Sequence, residues 1–141
     1  MRRKSGGFTL IEVLIAMAIV AILASIAYPG YSEYVRRAHR AEIAGVLSDT
    51  AHQLERFYSR HGQYADVPGP PAYSLALPPG NGVYTIEAER GDGQRFTLTA
   101  SPLASGAMKG DRCGRFTLDH LGRRDNPGRE VSASVDGCWG R

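Results

Sequence analysis

The sequence predicts an α+β protein: a long N-terminal α-helix whose second half packs on a small antiparallel β-sheet, with a disulfide-closed C-terminal segment. Three observations predict this class. An apolar run, Phe8–Ala27, lies close to the N-terminus. Apolar residues at helical spacing follow it, and the last part of the chain alternates apolar and polar residues as strands do. With 141 residues, the chain has room for one domain with one modest core.

Residues 1–7 form a short basic leader. They hold three of the 17 basic residues and none of the 14 acidic ones, so the rest of the chain carries 14 of each sign. The net charge of +3 therefore belongs to the leader and does not indicate a nucleic-acid partner.

Residues 8–28 form a candidate membrane-spanning helix, because about twenty helical residues cross about 30 Å of hydrocarbon. Glu12 lies within this segment. A carboxylate at the bilayer centre costs about 2.5–3.5 kcal/mol, so Glu12 is expected to have a partner or a task. Three alternatives compete here: a permanent anchor with Glu12 at the membrane surface, a helix that later enters a filament, and a secretory signal cut near 24–27, against which Glu12 argues.

The residues Lys-Ser-Gly-Gly-Phe-Thr-Leu-Ile-Glu at 4–12 resemble the leader of type IV prepilins and of type II secretion pseudopilins. The resemblance implies that a prepilin peptidase cuts between Gly7 and Phe8 and methylates the new amine of Phe8. It also implies that Glu12 neutralises this amine, in its own or a neighbouring subunit, during assembly. Two opposite charges that meet in a low-dielectric bundle offset each other's cost of burial.

Residues 29–61 are predicted to form the amphipathic second half of the helix. It runs from about Ser32 to Arg60 and ends at Gly62. Pro29 and Gly30 interrupt the join and predict a kink or a locally unwound stretch. The apolar positions that carry the helical spacing are Tyr31, Tyr34, Val35, Ala38, Ala41, Val46, Leu47, Leu54, Phe57 and Tyr58.

Residues 62–82 are predicted to form a connecting loop because they are rich in proline and glycine. Residues 83–141 are predicted to form the sheet and the C-terminal region. Gly91-Asp92-Gly93 predicts a hairpin between the first two strands. Arg-Phe-Thr-Leu occurs at 95–98 and again at 115–118, which is typical of two strands that meet one core rather than of a duplication. The expected inward-facing residues are Tyr84, Ile86 and Ala88, then Phe96, Leu98 and Ala100, then Phe116 and Leu118, and more weakly Val131, Ala133 and Val135.

Cys113 and Cys138 are the only two cysteines, and no further cysteine or histidine lies near them as a zinc site would require. They predict a disulfide, with two buried thiols as the alternative. A disulfide forms outside the cytoplasm, so the C-terminal domain is expected across the membrane from the leader. The arginines and lysines that flank the apolar run are equal in number on its two sides, so they do not decide the topology.

The stretch 113–123, followed by Cys138-Trp139, resembles the end of PilE-type minor pilins of the type IV pilus. This implies a low-abundance structural subunit for pilus assembly or initiation, and hence for surface attachment and twitching motility. The alternatives are a pseudopilin of a type II secretion system, or a DNA-uptake or adhesive pilin that binds a ligand.

The implied partners are a prepilin peptidase, other major and minor pilins, an inner-membrane assembly platform and a tip adhesin, with no nucleic acid expected. The implied location is the inner membrane, in a single pass with a periplasmic C-terminal domain, and then the pilus at the cell surface.

No enzyme, cofactor or metal is expected. The histidines at 39, 52, 61 and 120 have no metal-binding or catalytic spacing and are expected to be exposed. Gly91-Asp92-Gly93 and Gly110-Asp111 offer too few oxygen ligands for calcium. The arginines at 36, 37 and 40 are predicted to form a juxtamembrane cluster that neutralises acids on adjacent subunits, with DNA or lipid headgroups as the alternative.

Overall fold

The computed structural model describes residues 7–140. Most of the basic leader therefore lies outside the described residues. The chain divides into two compact units, Met1–Val35 and Arg36–Arg141. The elements in chain order are α1 (Leu10–His61), β1 (Tyr84–Glu89), β2 (Thr97–Pro102), β3 (Phe116–Asp119), β4 (Arg124–Asp125) and α2 (Val135–Cys138).

In the first unit, helix α1 is exposed on all sides. Every residue from 10 to 32 is exposed, including the large apolar ones. Tyr31 and Tyr34, two of the apolar positions that carry the helical spacing, are 70% and 72% exposed.

In the second unit, one stripe of helix α1 is buried. Apart from the adjacent pair Ile43 and Ala44, its successive members are three or four residues apart, which places them on one face of a 3.6-residue helix. Gly62 ends the helix as predicted: its φ is +71°, and its N–H donates to the carbonyl of Tyr58 at 2.7 Å. The buried residues of the stripe are Arg40, Ile43, Ala44, Leu47, Thr50, Leu54 and Phe57.

The segment after the helix is a connecting loop, as predicted. It carries no helix or strand between His61 and Tyr84, only two isolated bridges. Val67 pairs with Tyr73 within the loop, and Gly80 pairs with Thr85 along the start of β1.

The sheet is antiparallel, with the strands in the order β1-β2-β3-β4. The predicted inward positions of the first three strands are buried or half-buried. The weakly predicted strand at Val131–Val135 is wrong: Val131 is fully exposed, and the fourth strand is Arg124–Asp125. Ala133 and Val135 are half-buried and pack against the core, but Ala133 lies in irregular chain and Val135 begins the short helix α2.

The core of the second unit lies between the buried stripe of α1 and the inner face of the sheet. Three fully buried aromatic rings, Tyr84, Phe96 and Phe116, fill much of it. Tyr84 and Phe116 meet edge to face with their ring centroids 5.9 Å apart. The predicted fold class is therefore confirmed.

Candidate functional site

A capping box closes the start of helix α1. Thr9 precedes the helix, and Oε2 of Glu12 accepts its backbone N–H at 2.8 Å and its hydroxyl at 2.7 Å. In return, the backbone N–H of Glu12 donates to Oγ1 of Thr9 at 3.3 Å. This Thr-x-x-Glu exchange satisfies backbone donors that the first turn of a helix leaves unpaired.

Glu12 thus has a partner in its own turn. The Thr-x-x-Glu spacing is a sequence signal for this cap, but Thr9 was not among the predicted site residues. Gly7, Phe8 and Thr9 lie outside the helix, and the Phe8 side chain is 89% exposed. The peptide bond between Gly7 and Phe8 therefore lies in open chain directly before a capped helix, and its cleavage stays a prediction.

The helix that follows has the length and composition of a membrane span. Among the described residues, α1 is the one helix that is long and apolar enough to cross a bilayer. Its few polar groups are satisfied locally, as where the hydroxyl of Ser25 donates to the carbonyl of Ile22 at 2.7 Å.

Pro29 and Gly30 are helical in this structure. Pro29 has no N–H for the carbonyl four residues earlier, but helix α1 continues through it. The hydroxyl of Ser32 donates to the carbonyl of Pro29 at 3.0 Å. The described helix therefore has no unwound stretch here, and a bend at this place stays a prediction.

Cys113 and Cys138 form the predicted disulfide, with their Cα atoms 5.7 Å apart. Trp139, which follows Cys138, packs against Phe116 of β3 with ring centroids 5.3 Å apart. The guanidinium of Arg124 also contacts the Trp139 ring, with its central carbon 5.0 Å from the ring centroid. The bond and the ring together tie the C-terminal segment to the sheet.

Arg40 is not part of a juxtamembrane cluster. Its Nε donates to both carboxylate oxygens of Asp111, at 3.2 and 3.1 Å, and its Nη2 contacts the same group. Both side chains are buried, at 4% and 0% exposure. The prediction that Arg40 neutralises acids on adjacent subunits is therefore wrong, because its charge is used inside its own domain.

The Arg40–Asp111 pair belongs to a buried polar cluster. Asp111 also accepts the backbone N–H of Cys113 at 3.1 Å, which links the helix to the disulfide segment. The buried hydroxyl of Tyr84 has no hydrogen-bond partner within residues 7–140. Burial, with a smaller contribution from the charge of Asp111, raises the pKa of Tyr84 far above its usual range, so Tyr84 stays neutral.

Two turns at one end of the sheet have the same construction. In each, one aspartate oxygen accepts two backbone N–H groups of the turn, and the other accepts the Nε of an arginine. The Asp92–Arg95 distance is 2.9 Å and the Asp119–Arg123 distance is 2.6 Å.

These hydrogen bonds lower the pKa of both aspartates. The side chain of Arg95 is the main cause of the lowered pKa of Asp92. Burial raises the pKa of Asp119, but the hydrogen bonds from Arg123 and Leu121 outweigh it, so the net pKa is lowered.

An open pocket of about 460 Å³ lies between the two turns. Its three acidic residues, Glu89 among them, and its two arginines largely offset each other's charge, so it does not attract one sign of ligand. Asp92 and Asp111, weighed above for calcium, both bind arginines instead. Within the described part of the chain, no three His, Cys, Asp or Glu side chains converge on a possible metal.

The histidines are only partly as predicted. His52 is exposed, whereas His39, His61 and His120 are half-buried. His61 is stacked between Phe57 and Tyr73, with both centroid distances at 4.5 Å. His61 therefore packs between two aromatic rings.

Two family models match this chain. One, described as "Type IV minor pilin ComP, DNA uptake sequence receptor", matches residues 29–117. The other, "Prokaryotic N-terminal methylation motif", matches residues 2–28. Together they cover the apolar helix, the loop and most of the sheet.

Curated relatives and one solved structure are similar to the chain. A "Type IV major pilin protein PilE1" of Neisseria gonorrhoeae is 35% identical over 128 residues, which are 89% of this chain and 73% of the relative. The "Fimbrial protein EcpC" of Eikenella corrodens is 31% identical over 137 residues, which are 96% and 88% of the two chains. The structure of a type IV pilin from Shewanella oneidensis is 30% identical, covers 70% of this chain and 98% of its own, and has a TM-score of 0.48.

Proposed function

Because the chain belongs to the type IV pilin family, whose members are structural subunits and not enzymes, we propose that it is a minor pilin of the type IV pilus. In this role it helps to start or link the filament, and so supports attachment and twitching motility. The observation that carries the proposal is the match of residues 29–117 to a model described as a minor pilin.

Processing is the first step of the proposed role. A prepilin peptidase cuts between Gly7 and Phe8 and methylates the new amine of Phe8. The matched methylation motif and the open chain before the Thr9–Glu12 cap support this step. Mass analysis of protein from a host with an active peptidase should give a mature end at Phe8. A mature end near Tyr28 would restore the reading of an ordinary secretory signal.

Assembly is the second step, and Glu12 carries it. Cleavage places a charged amine on Phe8, next to the residue that already binds Glu12. The carboxylate of Glu12 then neutralises an amine of its own or a neighbouring subunit, which offsets the cost of burying both charges among apolar helices.

Two variants separate the charge of Glu12 from its role in the cap. Glu12→Gln keeps an oxygen that can accept the N–H of Thr9 but removes the charge. Glu12→Ala removes both. We expect both variants to be cleaved and inserted, and both to be depleted from sheared filaments. Incorporation of Glu12→Gln at the wild-type level would show that the cap, and not the charge, matters.

The topology follows from the same role. The disulfide supports a periplasmic location for the C-terminal domain, with one helix in the inner membrane before assembly. A reporter fused after the last residue, active only in the periplasm, tests this orientation. Activity of a cytoplasmic reporter at the same position would contradict it.

Abundance and phenotype distinguish the related subunit roles. A minor pilin is present at a few copies per filament and its loss reduces the number of pili. A major pilin forms the bulk of sheared filaments. A pseudopilin of a type II secretion system leaves pili unchanged and its loss stops secretion.

A DNA receptor is the second candidate, because the matching family model is described as a DNA uptake sequence receptor. On this alternative, loss of the chain leaves pili intact but stops DNA uptake. The full-length protein in detergent would bind duplex DNA with an affinity that falls steeply with salt. The paired Asp92–Arg95 and Asp119–Arg123 turns argue against it, since their arginines are already bound to carboxylates.

A further inference from the structure

A tight turn at Asn81 and Gly82 precedes strand β1. Oδ1 of Asn81 accepts the backbone N–H of Val83 at 3.2 Å and that of Tyr84 at 3.0 Å. The backbone N–H of Asn81 donates to the carbonyl of Tyr84 at 3.1 Å. The Asn81 side chain is therefore folded over the backbone of the residues that follow it.

We propose that Asn81 and Gly82 form a self-modification site at which Asn81 converts to aspartate or isoaspartate. A base in the solvent removes the proton of the Gly82 backbone amide, and this nitrogen attacks Cγ of Asn81. The new N–Cγ bond places a negative charge on Oδ1. The Cγ–Nδ2 bond then breaks, and the amide leaves as ammonia after taking a proton from water.

Water completes the conversion without any oxidant or other reactant. The first product is a five-membered cyclic imide. Water adds to one of its two carbonyl carbons and breaks one of its two C–N bonds. Cleavage on the side-chain side gives aspartate, and cleavage on the backbone side gives isoaspartate, with one carbon more in the main chain.

The native turn supplies what the first step needs. The two N–H groups of Val83 and Tyr84 point at the oxygen on which charge develops, which is the arrangement of an oxyanion hole. Nδ2 of Asn81, the leaving group, is buried and has no hydrogen-bond partner within residues 7–140, so no such bond has to break.

The nucleophile is unhindered. Gly82 has φ +81°, no residue other than its two chain neighbours has an atom within 4 Å of where a Cβ would lie, and the residue is exposed to solvent. An asparagine followed by any other residue would have a side chain beside the attacking nitrogen.

The product changes the charge and the backbone at one edge of the sheet. Aspartate at 81 adds a negative charge and keeps both N–H donors. Isoaspartate lengthens the chain beside the bridge between Gly80 and Thr85, which covers the start of β1. This inference does not depend on the proposed role in a pilus.

The chain contains a matched internal control. Asn126 is the second of its two asparagines and precedes Pro127, which has no N–H and cannot attack. In addition, Nδ2 of Asn126 donates to the carbonyl of Arg115 at 3.0 Å. Asn126 should therefore remain unchanged under conditions in which Asn81 converts.

The test incubates the full-length protein in detergent micelles, folded and in guanidinium, and follows both asparagines by peptide mass mapping. We expect the Asn81 peptide to gain the mass difference between NH₂ and OH and to split into two chromatographic forms, while the Asn126 peptide does not change. The rate should rise about tenfold per pH unit because the attacking nitrogen must lose a proton.

Comparison of the folded and the unfolded chain decides the proposal. Conversion in the folded protein at least as fast as in guanidinium supports a native turn that promotes the step. Conversion about tenfold slower in the folded protein, or absent in both states, overturns it, since either shows that the two N–H donors do not assist the attack. Asn81→Asp supplies the reference for the aspartate form in both states.

Discussion

The two units of this chain keep their apolar residues in opposite places. From residue 10 to 32, every side chain of α1 is exposed, and Ile15, Ile19 and Leu23 are each more than half exposed. In the second unit, Ile43, Leu47 and Leu98 have no exposed surface. The second unit covers its apolar surface with its own chain. The first unit leaves its apolar surface exposed, to be covered by another environment.

This difference separates what stabilises each region. The first helix satisfies its backbone internally and caps its own start, so it needs only an apolar solvent or neighbouring helices around it. The second unit needs its core, its buried ion pair and its disulfide. The same kind of substitution should therefore have different effects in the two regions.

The largest effect is expected from breaking the buried ion pair. Asp111→Ala leaves the guanidinium of Arg40 buried without this carboxylate, which should lower the free energy of unfolding by about 3–5 kcal/mol. Fluorescence of Trp139, the single tryptophan, follows unfolding of the second unit in detergent-solubilised protein. Asp125→Ala removes an exposed ion pair as the control and should cost at most about 1 kcal/mol. Equal losses from the two variants would contradict the special place of Arg40–Asp111.

Reduction of the disulfide comes next. The bond joins residues 25 apart in the sequence. Closing a loop of that length should contribute about 3.5 kcal/mol by limiting the unfolded chain. The Trp139 transition should move to lower denaturant on reduction, while the helical content contributed by the first region remains. An unchanged midpoint would mean that packing alone holds the C-terminal segment.

A matched pair of small truncations compares the two regions directly. Ile43→Val removes one methylene from the core and should cost about 1 kcal/mol. Ile19→Val makes the same change at a side chain that is 52% exposed, and should leave the Trp139 transition where it is. A shift of similar size from Ile19→Val would show that the first region contributes to the stability of the second.

The smallest effect is expected from acid. The lowered pKa of Asp119 means that its charge stabilises the folded state above the pKa of an unfolded aspartate. This contribution is lost as the pH falls through the lowered pKa of the folded state. The melting temperature of wild type should therefore exceed that of Asp119→Asn near neutral pH, and the gap should close in strong acid. Asp49→Asn, on an exposed face of α1, is the control, and a gap that persists in acid would point to packing.

Much of the fold could be predicted because it depends on local patterns. The apolar run, the helix end at Gly62 and the three alternating strands each follow from residue periodicity and a turn residue. The disulfide followed from the presence of two cysteines. Strand β4 was not predicted because a strand of two residues, Arg124 and Asp125, is too short to show a period.

The interactions that were missed depend on distant or reciprocal contacts. Arg40 looked like one of three surface arginines, and nothing near it in sequence indicates Asp111, 71 residues later. Val131–Val135 had the alternation of a strand, and Ala133 and Val135 do pack against the core, but in the described part of the chain no neighbouring strand pairs with this segment. The Thr9–Glu12 cap, in contrast, was readable from spacing alone and was overlooked because Glu12 was assigned a different task.

The order of the strands bears on how the second unit folds. Each strand pairs with its neighbour in sequence, and the longest connection within the sheet runs from 103 to 115. Pairs of strands that are close in sequence form quickly during folding, whereas the contact between Arg40 and Asp111 must close a far longer loop. Synthesis delivers α1 first, so the helix is complete before the residues that cover its buried stripe exist. The slow step in folding is therefore expected to be the docking of the preformed sheet onto helix α1. Because the entropy of loop closure grows only slowly with length, the exposed stretch 68–72 of the connecting loop can vary in length with little effect on stability, whereas Tyr64 in the same loop belongs to the core.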